Sequence, residues 1–243
     1  MDVESIERKI AKAGLEIKAI KLNPDNPFTW ASGYRMPIYN DNRMFLWYPE
    51  HRKLIMSGFL GLMAQDGFYT GKSYDFIAGT STSGIPWAEK LADNRNKPMV
   101  YVRDKPKDHG LKNQIEGIDA ESNLQGKKGI LIEDLISTGG SSVAAVQALR
   151  DANGICNHCY SIFNYGFEKA QKMFMGDEAF DKEERRRLDP PCKVKSLLTY
   201  DTLLQVAIET GRISPQQAAM LSEWRTDPFG WGEKRGFPKV EKK

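Results

Sequence analysis

Cysteine and net charge are both in short supply in this chain, and each shortage narrows what it can be. Three cysteines, Cys156, Cys159 and Cys192, are an odd number, which suits a reducing compartment better than a disulfide framework. The Cys156-Asn157-His158-Cys159 spacing resembles half a metal site, but no second ligand pair exists to close a tetrahedron. It lies in the apolar run Ile155 to Phe163, so the cysteines are expected to be structural, on a buried strand. A net charge of +3 is small for a protein whose main partner is nucleic acid. The nearest thing to a basic run, Arg185-Arg186-Arg187, sits among Asp181, Glu183, Glu184 and Asp189 and reads as a solvated face. Nothing approaches the ~20 apolar residues of a membrane helix, and Met1-Asp2-Val3-Glu4-Ser5 lacks the pattern of a secretory leader. A cytoplasmic protein is expected, with neither membrane nor nucleic acid as partner.

What is present is the composition of an ordinary globular chain: 243 residues, 40% hydrophobic and 28% charged. Neither an internal repeat nor a separating linker appears, so a single domain over residues 1–243 is expected. Apolar residues Ile6, Ile10, Ala13, Ile17 and Ile20 predict an opening helix, which Asn23-Pro24-Asp25-Asn26-Pro27 ends. A second helix is predicted from about Glu50 to Ala64. Short β-rich runs then alternate with helical segments, the pattern of a parallel sheet. The predicted strands are Tyr74–Ala78, Met99–Arg103, Gly129–Glu133 and Ile155–Phe163, with helices at Ile85–Asn94, Ser141–Asn153 and Phe167–Met175. Between the second and third strands, Asp104 to Lys128 is polar and aperiodic, which in a compact domain marks a functional lid or a disordered segment. Two more helices are predicted at Tyr200–Thr210, stopped by Gly211, and Pro215–Arg225, capped by Ser214.

The most informative segment runs Ile130-Leu131-Ile132-Glu133-Asp134-Leu135-Ile136-Ser137-Thr138-Gly139-Gly140-Ser141-Ser142: apolar strand, two acids, a hydroxyl- and glycine-rich turn, then a helix. Gly139 and Gly140 let backbone approach a ligand, and the amides of Thr138 to Ser141 open the helix where its dipole favours a phosphate dianion. Hydroxyls of Ser137, Thr138 and Ser141 add hydrogen bonds. Two carboxylates beside a phosphate would repel it unless they face another part of the same ligand, such as ribose hydroxyls or a cationic sugar ring. A ribose 5-phosphate fits both halves. The alternative is a capped strand-to-helix turn with no ligand. No lysine follows the glycines, so this is not a Walker A loop.

This segment resembles the signature of the type I phosphoribosyltransferases, which bind 5-phosphoribosyl 1-diphosphate (PRPP). The resemblance implies an α/β fold with a parallel sheet, a small N-terminal hood over about residues 1–45 and extra C-terminal helices over about 196–243. It implies that Glu133 and Asp134 contact the ribose hydroxyls while Leu135, Ile136, Ser137, Thr138, Gly139, Gly140 and Ser141 complete the PRPP site. Within that class, Tyr101-Val102-Arg103-Asp104-Lys105-Pro106-Lys107-Asp108-His109-Gly110, running on to Gly117, is similar to the catalytic loop of the orotate enzymes. Arg103, Lys105, Lys107 and His109 are cationic donors suited to closing over a departing pyrophosphate, and His109 is also a candidate proton donor. A solvated charged loop is the bland alternative.

Phe28-Thr29-Trp30-Ala31-Ser32-Gly33-Tyr34-Arg35-Met36-Pro37-Ile38-Tyr39 is similar to the family's hood segment, and Ala78-Gly79-Thr80-Ser81-Thr82-Ser83-Gly84 to its pyrophosphate loop. Core packing is an equal reading for Phe28 and Trp30. Ala31 and Ser83 stand where one bacterial branch has lysines, and Phe163-Asn164-Tyr165-Gly166 lacks the arginine that grips the orotate carboxylate there. The resemblance then leaves the base to Ser137, Arg35, Tyr39 and backbone amides. It further implies Mg²⁺, held largely through PRPP with Glu133 or Asp134, and a homodimer whose catalytic loop is shared between subunits. Its expected reaction joins orotate to PRPP, giving orotidine 5′-phosphate and pyrophosphate in pyrimidine biosynthesis. A transferase for another base, and a non-catalytic PRPP sensor, are the alternatives.

Overall fold

The computed structural model describes residues 5–69, 73–104, 114–119, 123–176 and 188–241. In chain order its first elements are α1 (Ile6–Glu16), β1 (Ile20–Leu22), β2 (Phe28–Thr29), β3 (Arg35–Met36), β4 (Ile38–Asn40), a 3-10 helix (Asn42–Trp47) and α2 (Pro49–Gln65). The sheet region follows with β5 (Phe76–Thr80), α3 (Ile85–Arg95), β6 (Met99–Val102), β7 (Ile115–Glu116), β8 (Lys128–Ile136), α4 (Gly140–Asp151), β9 (Ile155–Asn164), α5 (Glu168–Met175) and β10 (Lys193–Thr199). Last come α6 (Tyr200–Glu209), α7 (Pro215–Thr226) and α8 (Trp231–Lys234). The chain divides into two compact units, one of residues 53–197 and one that joins 1–52 to 198–243. The N-terminal hood and the C-terminal extension, read separately from the sequence, thus belong to one unit.

The larger unit is built on a six-stranded sheet in the order β10-β9-β8-β5-β6-β7. β5, β6, β8 and β9 pair in parallel, and β7 returns antiparallel on β6. Parallel pairing needs crossover helices, and α3 and α4 supply them. β8 is central, and Ile130, Leu131 and Ile132 are all buried, as expected of a strand covered on both faces. Chain order runs from β5 outward to β6 and then returns to β8 on the other side of β5. The two central strands therefore bound the switch point of the sheet, where ligands of open α/β sheets bind at the carboxyl ends.

The predicted helices and strands form, with shifts that have local causes. The opening helix stops at Glu16, Lys18 takes φ +60°, and Ile20 begins β1. β5 runs two residues past Ala78, because Gly79 and Thr80 pair with Tyr101 and Val102. β8 runs past Glu133, because Leu135 and Ile136 pair with Phe163 and Asn164 on β9. The two acids therefore lie within the strand and not beyond its end. In the aperiodic Asp104–Lys128 stretch, β7 forms a stem with β6, Tyr101 opposite Glu116 and Val102 opposite Ile115. β10 was not expected. Its Lys193 and Lys195 put their ammonium groups 2.5 and 2.8 Å from Asp66, an edge strand whose outward charge blunts further pairing.

Cys156 and Cys159 are fully buried free thiols on β9, in the structural role the sequence suggests. α4 is held at its far end by Arg150, whose guanidinium donates to the carbonyls of Cys156 (2.8 Å) and Pro190 (2.6 Å) and to Asn157 Oδ1 (2.9 Å).

The smaller unit packs α1 against α6, where Glu7 Oε1 accepts the Thr199 amide and hydroxyl at 2.9 and 2.7 Å. Ser214 and Gln217 form a reciprocal capping box at the start of α7, and Gly211 follows α6 with φ +65°. Trp30 resolves as a packing residue: its ring meets Trp224 edge-on at 6.2 Å and its indole donates to the Ile38 carbonyl at 2.8 Å. Among the described residues no helix is long and apolar enough to cross a membrane.

Candidate active site

A cavity of about 560 Å³ is lined by Thr80 at the end of β5, by Arg103, Asp104 and Gln114, and by Thr138, Gly140, Ser141 and Gln147 of the turn after β8 and of α4. Two turns follow β5 and β8, and of these only the second contributes to the lining. The first turn, residues 81–84, joins β5 to α3. The Ser81 amide donates to the Val102 carbonyl (2.8 Å) and the Gly84 amide to the Thr80 carbonyl (3.0 Å), which fixes both ends. The Ser81–Thr82 peptide is cis. A Cβ on Gly84 would stand 2.5 Å from both the Ile132 carbonyl oxygen and Thr80 Oγ1, so glycine alone fits there. α3 starts without a side-chain cap.

The second turn joins β8 to α4. Gly139 has φ +83°, a left-handed conformation that glycine adopts without strain, and α4 again starts with no side-chain cap. Thr138 and Gly140 are partly exposed and Ser141 is exposed. Uncapped amides with flanking hydroxyls at a helix N-terminus are suited to a phosphate. Ile136, expected among the contacts, buries its side chain in the core, and its carbonyl accepts the Tyr165 amide at 3.1 Å.

The two acids diverge. Asp134 is partly exposed at the strand's carboxyl half, while Glu133 is buried with 6% exposure. Glu133 Oε1 accepts from Thr80 Oγ1 (2.6 Å) and the Asp134 amide (2.9 Å), and Oε2 accepts from Ser142 Oγ (2.9 Å). Glu133, expected to contact ribose or metal, thus has three internal donors on its oxygens. Burial first, and the adjacent Glu133 carboxylate second, push Asp134 up to about 8.

The base of the predicted catalytic loop reaches the cavity. Arg103 closes a hydrogen-bonded pair with Gln114 (amide to carbonyl 2.9 Å, Gln114 Nε2 to the Arg103 carbonyl 3.0 Å) and lies 3.6 Å from Glu116. Its Nε has no acceptor among the described residues. Lys105, Lys107 and His109 lie outside the described residues. Arg35 and Tyr39 belong to the smaller unit. Arg35 donates to the Pro27 carbonyl at 2.8 Å, and Tyr39 is exposed with its ring 6.0 Å from Phe28. Sequence reasoning missed Ser142 and Gln147. Ser142 was visible as the second serine after the glycines, but its inward direction depends on the phase at which α4 begins.

Two glycine turns that follow neighbouring parallel strands, with an acid pair on one of those strands, suit a phosphoribosyltransferase class, and a phosphoribosyl transferase domain model matches residues 59–178. The chain is 42% identical over 229 residues to an orotate phosphoribosyltransferase of Listeria innocua, covering 94% of this chain and all of that one. It is 44% identical over 223 residues to one of Bacillus pumilus, covering 92% and 95%. The chain belongs to the orotate phosphoribosyltransferase family. In fold it is similar to the crystal structure of the Aeropyrum pernix orotate phosphoribosyltransferase, with TM-score 0.63 and 24% identity over 84% of this chain and 99% of that one.

Proposed function

We propose that this protein transfers the ribose 5-phosphate of PRPP to N1 of orotate, releasing pyrophosphate and forming orotidine 5′-phosphate for pyrimidine nucleotide synthesis. The observation that carries the reading is that turns 81–84 and 137–139 follow the paired parallel strands β5 and β8, each leading into a helix with no side-chain cap. A ribose with a phosphate at C5 and a diphosphate at C1 matches that pairing. The 137–141 turn takes the 5-phosphate, the Thr80, Ser81, Thr82 and Ser83 turn takes the diphosphate, and Asp134 accepts from the ribose hydroxyls.

The chemistry asked of the chain is positioning and electrostatics. As the C1–O bond breaks, its electron pair leaves with pyrophosphate, and N1 of orotate supplies the pair for the new C1–N bond. Arg103, with Lys105, Lys107 and His109, stabilises charge on the leaving group, and Asp134 faces the cationic sugar. We assign Mg²⁺ largely to the diphosphate of PRPP, with Glu133 or Asp134 and water completing its shell. Mg²⁺ bound in that way would neutralise diphosphate charge. For the base we assign Ser137. Arg35 and Tyr39 keep the assignment that resemblance gives them, as do a homodimer with a shared catalytic loop and a cytoplasmic location.

Orotate absorbance followed after addition of PRPP and Mg²⁺ tests the reading, with purines and uracil assayed in parallel by pyrophosphate release. Consumption of orotate alone is expected. Turnover of another base instead, or no turnover beside a salt-dependent shift of nucleic acid, would sink it. Lys107→Ala and His109→Ala are expected to lower kcat far more than PRPP affinity, and a kcat unchanged within about twofold would remove the loop from the mechanism.

A further inference from the structure

β6 and β7 bring a carboxylate, Glu116, to the root of the arginine that lines the cavity. The two strands alternate in direction of side chain: Val102 and Ile115 are buried in the core, while Tyr101, Arg103, Gln114 and Glu116 fall on the other face and are partly exposed. Arg103 and Gln114 line the cavity together with Thr138, Gly140 and Ser141. Glu116 stands one step further back, opposite Tyr101. Its Oε1 lies 3.6 Å from Arg103 Nη1, the diagonal contact that neighbouring antiparallel strands allow to long side chains. The main chain of Arg103 is fixed separately, since its amide donates to the Gln114 carbonyl at 2.9 Å and its carbonyl accepts from Gln114 Nε2 at 3.0 Å. Gln114 thus holds the backbone of this arginine and Glu116 its guanidinium. The carboxylate is the more enclosed partner, with 19% of its side chain exposed against 41% for the arginine.

A long cationic side chain gives up rotamer freedom when it meets an anion, and a neighbour that already orients it lowers that cost. The ion pair does not use up the guanidinium. At 3.6 Å the contact is longer than a hydrogen bond, and Arg103 Nε has no acceptor among the described residues, so donors remain for a second anion. Resting on the reading of the site given above, we propose that Glu116 is a positioning residue that orients the Arg103 guanidinium for the diphosphate of PRPP. It acts through Arg103. By charge alone a carboxylate this close would repel a diphosphate, so orientation and repulsion predict opposite signs when the charge is removed.

The test is calorimetry on the full chain with Mg²⁺ present, titrating pyrophosphate, PRPP and ribose 5-phosphate. Glu116→Gln keeps the size of the side chain and removes its charge. Affinity for pyrophosphate and for PRPP is expected to fall about fivefold, while ribose 5-phosphate, which lacks the diphosphate, stays within about twofold. Made in an Arg103→Ala background, the same substitution should bring no further fall, because the residue it acts through is gone. A carboxylate that merely keeps β7 on β6 would cost as much in either background, and that result overturns the inference. So does tighter pyrophosphate binding by Glu116→Gln, which would make repulsion the larger effect, and so does an unchanged affinity or an equal loss for all three ligands. If the glutamine variant does not fold, Glu116→Asp, which keeps the charge and shortens the reach, is read in the same way: a smaller fall, absent without Arg103. Failure of the unsubstituted chain to bind PRPP would instead refute the functional reading on which the inference rests.

Discussion

The turn after β5 and the turn after β8 look alike in sequence, since each is rich in hydroxyls and each ends at a glycine before an uncapped helix. Their glycines answer different problems. Gly84 has an ordinary φ of −77°, and what excludes a side chain is the Ile132 carbonyl of the neighbouring strand, 2.5 Å from where its Cβ would be. Gly139 has φ +83°, a demand of its own backbone, with Ala170 a further 3.0 Å limit. One glycine is fixed by tertiary packing and the other by local conformation. Local conformation can be read from a motif, whereas packing against a strand about fifty residues away in the chain cannot.

The largest effect that sharpens this comparison should come from Gly84→Ala. The clash is with backbone, which cannot swing aside, so a loss of about 3 kcal/mol is expected in urea unfolding, together with loss of pyrophosphate binding. If Gly139→Ala costs more than this, the ranking of packing over conformation is wrong. Next, Asp134→Asn is expected to lower kcat/KM about 100-fold above about pH 8, where the carboxyl is ionised and its negative charge faces the sugar as the bond breaks. A fall of less than about fivefold would take Asp134 out of that role. Gly139→Ala should cost about 1–2 kcal/mol of stability, the strain of a left-handed alanine, measured by the same unfolding curves.

A pH experiment probes the carboxyl beside these turns. Asp134 lies well above the usual carboxylate range in the folded chain, so the folded state holds a proton that the unfolded state gives up. Its contribution to stability is complete below the ordinary carboxylate pKa and is lost as pH rises through about 8. Asp134→Asn, which stays neutral, should therefore gain thermal stability over the parent between about pH 5 and about pH 9; parallel melting curves would contradict the assignment. The smallest effect belongs to Gly140→Ala. Nothing lies within 4 Å of its Cβ position, and stability should move by no more than about 0.5 kcal/mol.

Much of the fold was legible because its signals are local. The β-rich runs, the helix after Gly140, the stop at Gly211 and the cap at Ser214 come from periodicity and caps, and they form within a few residues of where the pattern puts them. β10 escaped notice because an edge strand with lysines at Lys193 and Lys195 carries little apolar alternation. The phosphate turns were legible as motifs, and their adjacency was not, since β5 and β8 become neighbours only through strand order. Glu133 shows the same limit in a single residue. Two adjacent acids look equivalent in a sequence, but successive residues of a strand point to opposite faces, so only one of them can remain at the surface.

Arg150 extends this logic to the other end of α4. The helix that presents the phosphate turn is 12 residues long, roughly 18 Å, and its last turn is moored by a guanidinium spread over two carbonyls and an amide. A rod fixed at the stern keeps its bow on target. Arg150→Lys would retain the positive charge but lose the flat, many-pronged grip. Weakened phosphate capture in that variant would be an aiming fault, produced a full helix length from the anion it fails to hold.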